Sequence, residues 1–186
     1  MKVRPLVLLS FFFLGSSCIP FTVTELPIRI PTVTSDYEDF MLFSDSVIFS
    51  FHNEYEPEKR ERISECIWNA SSAADIDPYL LLGLLALESG FDSSVVSSKG
   101  AKGIAQFMPG TWKWISEEIG MTYDIVSYDG GIYASAYYLK RLIMESKGDI
   151  EEALIAYSGY KTGNEKALKY VEIVMRFTNH DRDYTR

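Results

Sequence analysis

Asp77-Pro78-Tyr79-Leu80-Leu81-Leu82-Gly83-Leu84-Leu85-Ala86-Leu87-Glu88-Ser89-Gly90-Phe91 is the stretch that decides the fold. Asp77 is a suitable helix N-cap, and Pro78 fits the first helical position, where its missing amide hydrogen leaves nothing unsatisfied. From Tyr79 to Leu87 the helix is apolar on every face apart from Gly83, as a helix surrounded by protein must be. It is too short to cross a bilayer, which takes roughly 20 residues. Gly90 supplies the stop. Glu88 is the first charge after this run, so burial reaches almost to its carboxylate. Apolar surroundings and the partial negative charge of a helix C-terminus both raise the pKa of such a group. A Glu still protonated near neutral pH can supply the proton that a glycosidic oxygen needs in order to leave. The competing account is a carboxylate that only marks where the helix meets solvent.

Outward from this helix the chain continues as helices. Residues 58–74 place Ile63, Cys66, Ile67 and Ala70 on one side and charges on the other. After a polar, Gly-containing loop at 92–103, Pro109 should open a helix that runs to about residue 119 and stops at Gly120. Asp129 is expected to cap a helix over 131–147, carrying Ile132, Ala136, Leu139 and Ile143 and ending at Gly148. Asp149-Ile150-Glu151-Glu152 has capping-box spacing and opens a short helix to residue 157. Asn164 can cap the last helix, which carries Leu168, Val171, Val174 and Met175. The expected architecture is mainly α, a single compact helical domain over residues 58–178 with no repeat and no strand-helix alternation. Residues 18–57 read as a tether, although 40–51 is too apolar for a simple solvated linker, so part of it should pack on the domain or pair as a short strand. Residues 179–186 form a tail.

The first residues carry Lys2 and Arg4, then an apolar run from Leu6 to Leu14, then Gly15-Ser16-Ser17-Cys18. Residues 1–17 therefore read as an export signal, with cleavage before Cys18. A formal charge of −8 and the lack of a basic face exclude a polyanion-binding role, so no nucleic acid partner is expected. Two cysteines give no disulfide framework, and no Cys/His cluster has zinc spacing, so neither metal nor cofactor is implied. Cys66 reads as a buried thiol, with a Cys18–Cys66 disulfide as an alternative if Cys18 is unmodified. His52 and His180 read as isolated surface residues.

Three segments in order carry a resemblance: Glu88-Ser89-Gly90-Phe91, the Ser98 to Pro109 segment with Gly103-Ile104-Ala105-Gln106-Phe107-Met108, and Ala156-Tyr157-Ser158-Gly159. Together they resemble the soluble lytic transglycosylase family of the lysozyme-like superfamily, over about residues 63–177. The resemblance implies a lysozyme-like α+β superfamily fold that is mainly α. It also implies a groove for the β-1,4-linked N-acetylmuramic acid and N-acetylglucosamine strands of peptidoglycan. Glu88 matches the family's sole catalytic acid and base. Ser89, Gln106, Tyr157, Ser158 and Tyr170 match positions that bind substrate or reach the carboxylate, each with packing or turn formation as the competing account. Asp92, the one nearby carboxylate, reads as a turn residue. The family usually has Asn at Ser158 and a longer side chain at Ala105, so hydrogen bonds to the substrate should differ there. Trp112 and Trp114 could stack on sugars, but at that spacing they cannot share a helix face, so at least one belongs to the core.

Cys18 resembles a lipoprotein's modified cysteine, although Gly15 stands where an aliphatic residue is usual. The resemblance implies an exported enzyme in the periplasm or cell envelope, anchored to the membrane through Cys18 or soluble. Its partners would be glycan strands; a third option, drawn from the aromatic stretch 40–51 and not from the resemblance, is an enzyme that serves an envelope-spanning machine through that segment. A hydrolase on the same fold and a catalytically weak glycan-binding module remain as alternatives.

Overall fold

The computed structural model describes residues 35–178, and among these seven helices follow one another: α1 (Ser35–Phe51), α2 (Pro57–Ala74), α3 (Pro78–Ser89), α4 (Pro109–Ile119), α5 (Tyr128–Glu145), α6 (Ile150–Ser158) and α7 (Glu165–Thr178). The expected export signal (1–17), Cys18, the first part of the expected tether, the tail (179–186) and His180 lie outside the described residues. The mainly α expectation holds: extended pairing among the described residues amounts to two isolated antiparallel bridges, Val96 with Lys102 and Lys102 with Phe107.

The apolar stretch becomes the central helix. Asp77 Oδ1 accepts from the Tyr79 amide at 2.7 Å and the Leu80 amide at 3.4 Å, and Gly90 closes α3 in the left-handed conformation at φ 62°. α1, α2, α5 and α7 all pack against α3, which is why its sequence is apolar all round. Leu80, Leu81, Leu82, Leu84 and Leu85 are buried, each such side chain contributing about 1.5–3 kcal/mol. Gly83 sets the closest approach: a Cβ there would stand 2.8 Å from Phe177 Cδ2 and 2.9 Å from the Val174 carbonyl oxygen. α7 therefore lies directly against the backbone of α3, and that brings Tyr170 to the end that carries Glu88.

Three local readings need correction. The aromatic stretch 40–51 is most of α1, so of its alternatives packing on the domain holds, while tether and strand do not. Its inward residues Phe40, Ser44, Val47 and Ile48 recur at three- and four-residue steps and are fully buried, and Ser44 satisfies its hydroxyl on the Met41 carbonyl at 3.1 Å. Phe40 meets Tyr79 edge-on at 5.3 Å, so α1 is part of the core. Asp129 does not cap α5. Ser127, in extended conformation, caps it by accepting from the Gly130 amide, while Asp129 accepts from Arg62 on α2 at 2.7 Å. α5 consequently begins three residues earlier than expected and ends at Glu145, with Gly148 N bonded back to the Ile143 carbonyl at 2.7 Å. His52 is not isolated: its Nδ1 lies 2.6 Å from Glu54 Oε1 and its ring stacks on Tyr55.

The other caps follow the sequence. Asp149 accepts from the Glu152 amide at 2.9 Å, and Asn164 from the Lys166 amide at 2.8 Å. Cys66 is a free, buried thiol, and burial pushes its pKa upward. Among the described residues no helix is long and apolar enough to cross a membrane.

Candidate active site

Glu88 occupies the last turn of α3 and is 3% exposed. Burial pushes its carboxyl up to about 8, against an ordinary 4.5. One hydrogen bond works the other way: the Tyr170 hydroxyl, from α7, donates to Glu88 Oε1 at 2.7 Å and favours the charged form. Among the described residues no neighbouring carboxylate contributes to this shift. The group is thus a proton donor at neutral pH that remains able to ionise, held in place by one phenol.

The loop of residues 92–107 is fastened to the end of α3, to α6 and to itself at several points. Ser89, next to Glu88, donates its hydroxyl to the Ile104 carbonyl at 2.7 Å. Tyr157, from α6, reaches the Ala105 carbonyl at 3.4 Å. Gln106 Nε2 donates to the carbonyls of Gly103 at 2.9 Å and Val95 at 3.2 Å. α5 presses on the same segment, since a Cβ on Gly131 would stand 2.6 Å from Ile104 Cγ2. Two non-glycine residues adopt the left-handed conformation here, Phe91 at φ 69° and Gln106 at φ 52°. Each such conformation stores roughly 1–2 kcal/mol of strain, and each is held by burial, Phe91 against Phe51 of α1 at 5.6 Å.

Of the residues that the resemblance singled out, Glu88 and Tyr170 are in direct contact, and Ser89, Gln106 and Tyr157 fasten the adjoining loop. Ser89 therefore uses its proton on Ile104 and does not donate to the carboxylate. Gln106 is 1% exposed, and its Oε1 is buried without a hydrogen-bond partner among the described groups. Ser158 is also buried, with its hydroxyl proton on the Ile155 carbonyl at 2.7 Å. Asp92 is an Asx-turn residue: it accepts from the amide and hydroxyl of Ser94 at 2.8 and 2.6 Å. Burial raises its pKa, but these bonds outweigh burial and lower it overall.

Both Trp112 and Trp114 are half-buried against the core. Trp112 lies against Phe107, while Trp114 lies under the Arg141 guanidinium at 4.9 Å. Among the described residues no cluster of His, Cys, Asp and Glu could hold a metal ion. Two residues at this site escaped the sequence reading. Phe91 was quoted only as part of a motif, although an aromatic directly after a helix-stopping Gly is a visible signal for a buried strap. Tyr160, whose phenol is raised by burial and then by the Glu88 charge, had no periodic or motif signal.

Residues 65–177 match the transglycosylase SLT domain family. A protein of Enterobacteria phage PRD1 described as a transglycosylase is 35% identical over 97 residues, 51% of this chain, and the chain spans 34% of that relative's length. A solved structure of an inactive mutant of the lytic transglycosylase Slt from Pseudomonas aeruginosa is similar with a TM-score of 0.55 at 20% identity, over 74% of this chain and 27% of that one. At that identity the likeness is one of fold.

Proposed function

Because the chain belongs to the transglycosylase SLT domain family, we propose that it is a peptidoglycan lytic transglycosylase that cuts the β-1,4 bond between N-acetylmuramic acid and N-acetylglucosamine and leaves a 1,6-anhydro end. The observation that carries this reading is the buried carboxyl of Glu88, raised to about 8 and touched by the Tyr170 hydroxyl, with no second carboxylate among the described residues contributing to its shift.

Protonated Glu88 gives its proton to the leaving glycosidic oxygen as the C–O bond breaks, which removes the need to expel an alkoxide. The substrate's own N-acetyl group stabilises the electron-poor anomeric carbon. Glu88, now a carboxylate, takes the proton of the muramic acid 6-hydroxyl as its oxygen closes on the anomeric carbon. One proton leaves Glu88 and one returns, so water is not consumed. The Tyr170 hydroxyl suits this double role, because it stabilises the carboxylate in the interval between the two transfers. A hydrolase would normally need a second carboxylate to activate water, and Asp92 is already engaged by Ser94.

Substrate contacts by Gln106, Tyr157 and Ser158 are part of this reading. The unpartnered Gln106 Oε1 supports the first of them, while Ser158, with its proton inside α6, can only accept. Reading residues 1–17 as an export signal, with lipid attachment at Cys18, fits an envelope location where peptidoglycan lies.

Mass spectrometry of fragments released from purified sacculi, beside a Glu88→Gln control, tests the proposal. Anhydro-ended fragments that disappear in the control are expected. Reducing ends would assign hydrolysis, and retained binding with no release from the wild type would assign a glycan-binding module.

A further inference from the structure

Phe91 directly follows Gly90, and both stand in the left-handed region, at φ 69° and 62° respectively. The chain therefore turns back sharply just beyond Glu88. Glycine adopts that conformation freely, but a bulky side chain does so only where its surroundings hold it. Phe91 is fully buried, and the ring of Phe51 meets it edge-on, with centroids 5.6 Å apart and planes at 81°.

Phe51 is the last residue of α1, and the corner that follows it is braced. The Arg60 guanidinium, on α2, donates to Asp45 Oδ1 on α1 at 2.7 Å and to the Tyr55 carbonyl at 2.5 Å. The Tyr55 hydroxyl in turn lies 3.0 Å from the Tyr128 hydroxyl at the start of α5. A strained strap thus leans on a fixed ring. α1 lies wholly before residue 65, where the match to the family begins, so that match does not account for the contact.

The strap borders the segments that enclose Glu88. On its near side Ser89 donates to the Ile104 carbonyl at 2.7 Å, and on its far side Asp92 is turned by its bonds to Ser94. Were Phe91 to relax to the negative φ that phenylalanine prefers, the chain would leave α3 in another direction and the buried ring would be displaced. Water would then reach the carboxyl, with the Tyr170 hydroxyl still against it.

We propose that Phe51 is a positioning residue for Glu88: by holding Phe91 in its left-handed conformation, α1 keeps the end of α3 closed around the catalytic acid. The proposal rests on the transglycosylase reading and deepens it, because it gives α1 a part in catalysis without any contact to substrate.

The test follows the titration of Glu88 by ¹³C NMR of labelled glutamate in the full-length wild type and in Phe51→Ala, with the resonance identified by its loss in Glu88→Gln. The same proteins are assayed for kcat on purified sacculi. Burial holds the wild-type carboxyl at about 8, so the entry of water in Phe51→Ala should lower the midpoint by about one pH unit or more. A displaced acid should also cost about ten- to hundredfold in kcat. Leu142→Ala, which empties a core site near the far end of α5, controls for lost stability and should leave the midpoint at its wild-type value. A folded Phe51→Ala with a midpoint within about 0.3 of a pH unit of wild type, or a Leu142→Ala that lowers it equally, overturns the positioning role. If Phe51→Ala does not fold, Phe51→Val takes its place, with a fall of about half a pH unit required. A wild type that releases no glycan fragments brings down the transglycosylase reading itself, while the Glu88 midpoints still decide what Phe51 does.

Discussion

Replacing Glu88 by Gln removes one titration from the centre of the protein and keeps an oxygen that can accept the Tyr170 hydroxyl. The buried carboxyl has its pKa raised from an ordinary 4.5 to about 8. Its folded pKa therefore lies above its unfolded one. The stability contributed by the protonated group is complete below about pH 4.5 and is lost as pH climbs toward 8. In that window the folded chain holds a proton that the unfolded chain has released, so each added pH unit costs the wild type about 1.4 kcal/mol that the Gln variant keeps. Between pH 5 and pH 8 the stability advantage of Glu88→Gln should widen by roughly 3 kcal/mol. Urea unfolding of both proteins at the two pH values measures this directly, because every other titrating group is common to the pair and cancels in the difference. A difference that stays constant across the window would refute the claim that burial holds this carboxyl protonated.

Two further outcomes follow from the packing and hydrogen bonds. Tyr170→Phe removes the bond that favours ionised Glu88, so the alkaline limb of the kcat–pH profile should move to higher pH and kcat should fall roughly tenfold, within the range for a misplaced acid-base group; an unmoved limb contradicts the contact. Phe40→Ala empties a fully buried site at the junction of α1, α2 and α3 and should cost about 3–5 kcal/mol in urea unfolding, whereas a loss under about 1 kcal/mol would show that α1 is not part of the cooperative core.

The parts of the fold that were legible in the sequence are those governed by local chemistry. Asp77, Pro78 and Gly90 bound α3 through caps that depend on a few residues each, and the same holds for Asp149 and Asn164. What escaped depends on distant partners. Ser127 and Asp129 both have cap chemistry, and the choice falls to Ser127 because Arg62, sixty-seven residues away in sequence from Asp129, engages the carboxylate. α1 was obscured because Ser44 sits on its buried face while Leu42 and Phe49 sit outside, which blurs the contrast that a helical period needs. At the site, the place of Glu88 was readable from the leucines before it. The hydroxyl partners of Ser89 and Ser158 were not, since a buried hydroxyl can turn to any carbonyl within reach. Tyr160 was invisible for a related reason: its position depends on a left-handed Gly159 and a hydrogen bond, not on any repeat of residue type.

The enclosure of α3 by α1, α2, α5 and α7 has a consequence for how the protein fluctuates. Its backbone amides are shielded on all sides, so their deuterium uptake should require the opening of the whole domain and not the fraying of an edge. The helix that presents Glu88 would then be among the slowest-exchanging segments, with the proton-transferring group on its last turn. Agents that loosen exposed elements such as α4 would leave the carboxyl where it is, and it would be displaced only when the entire core opens.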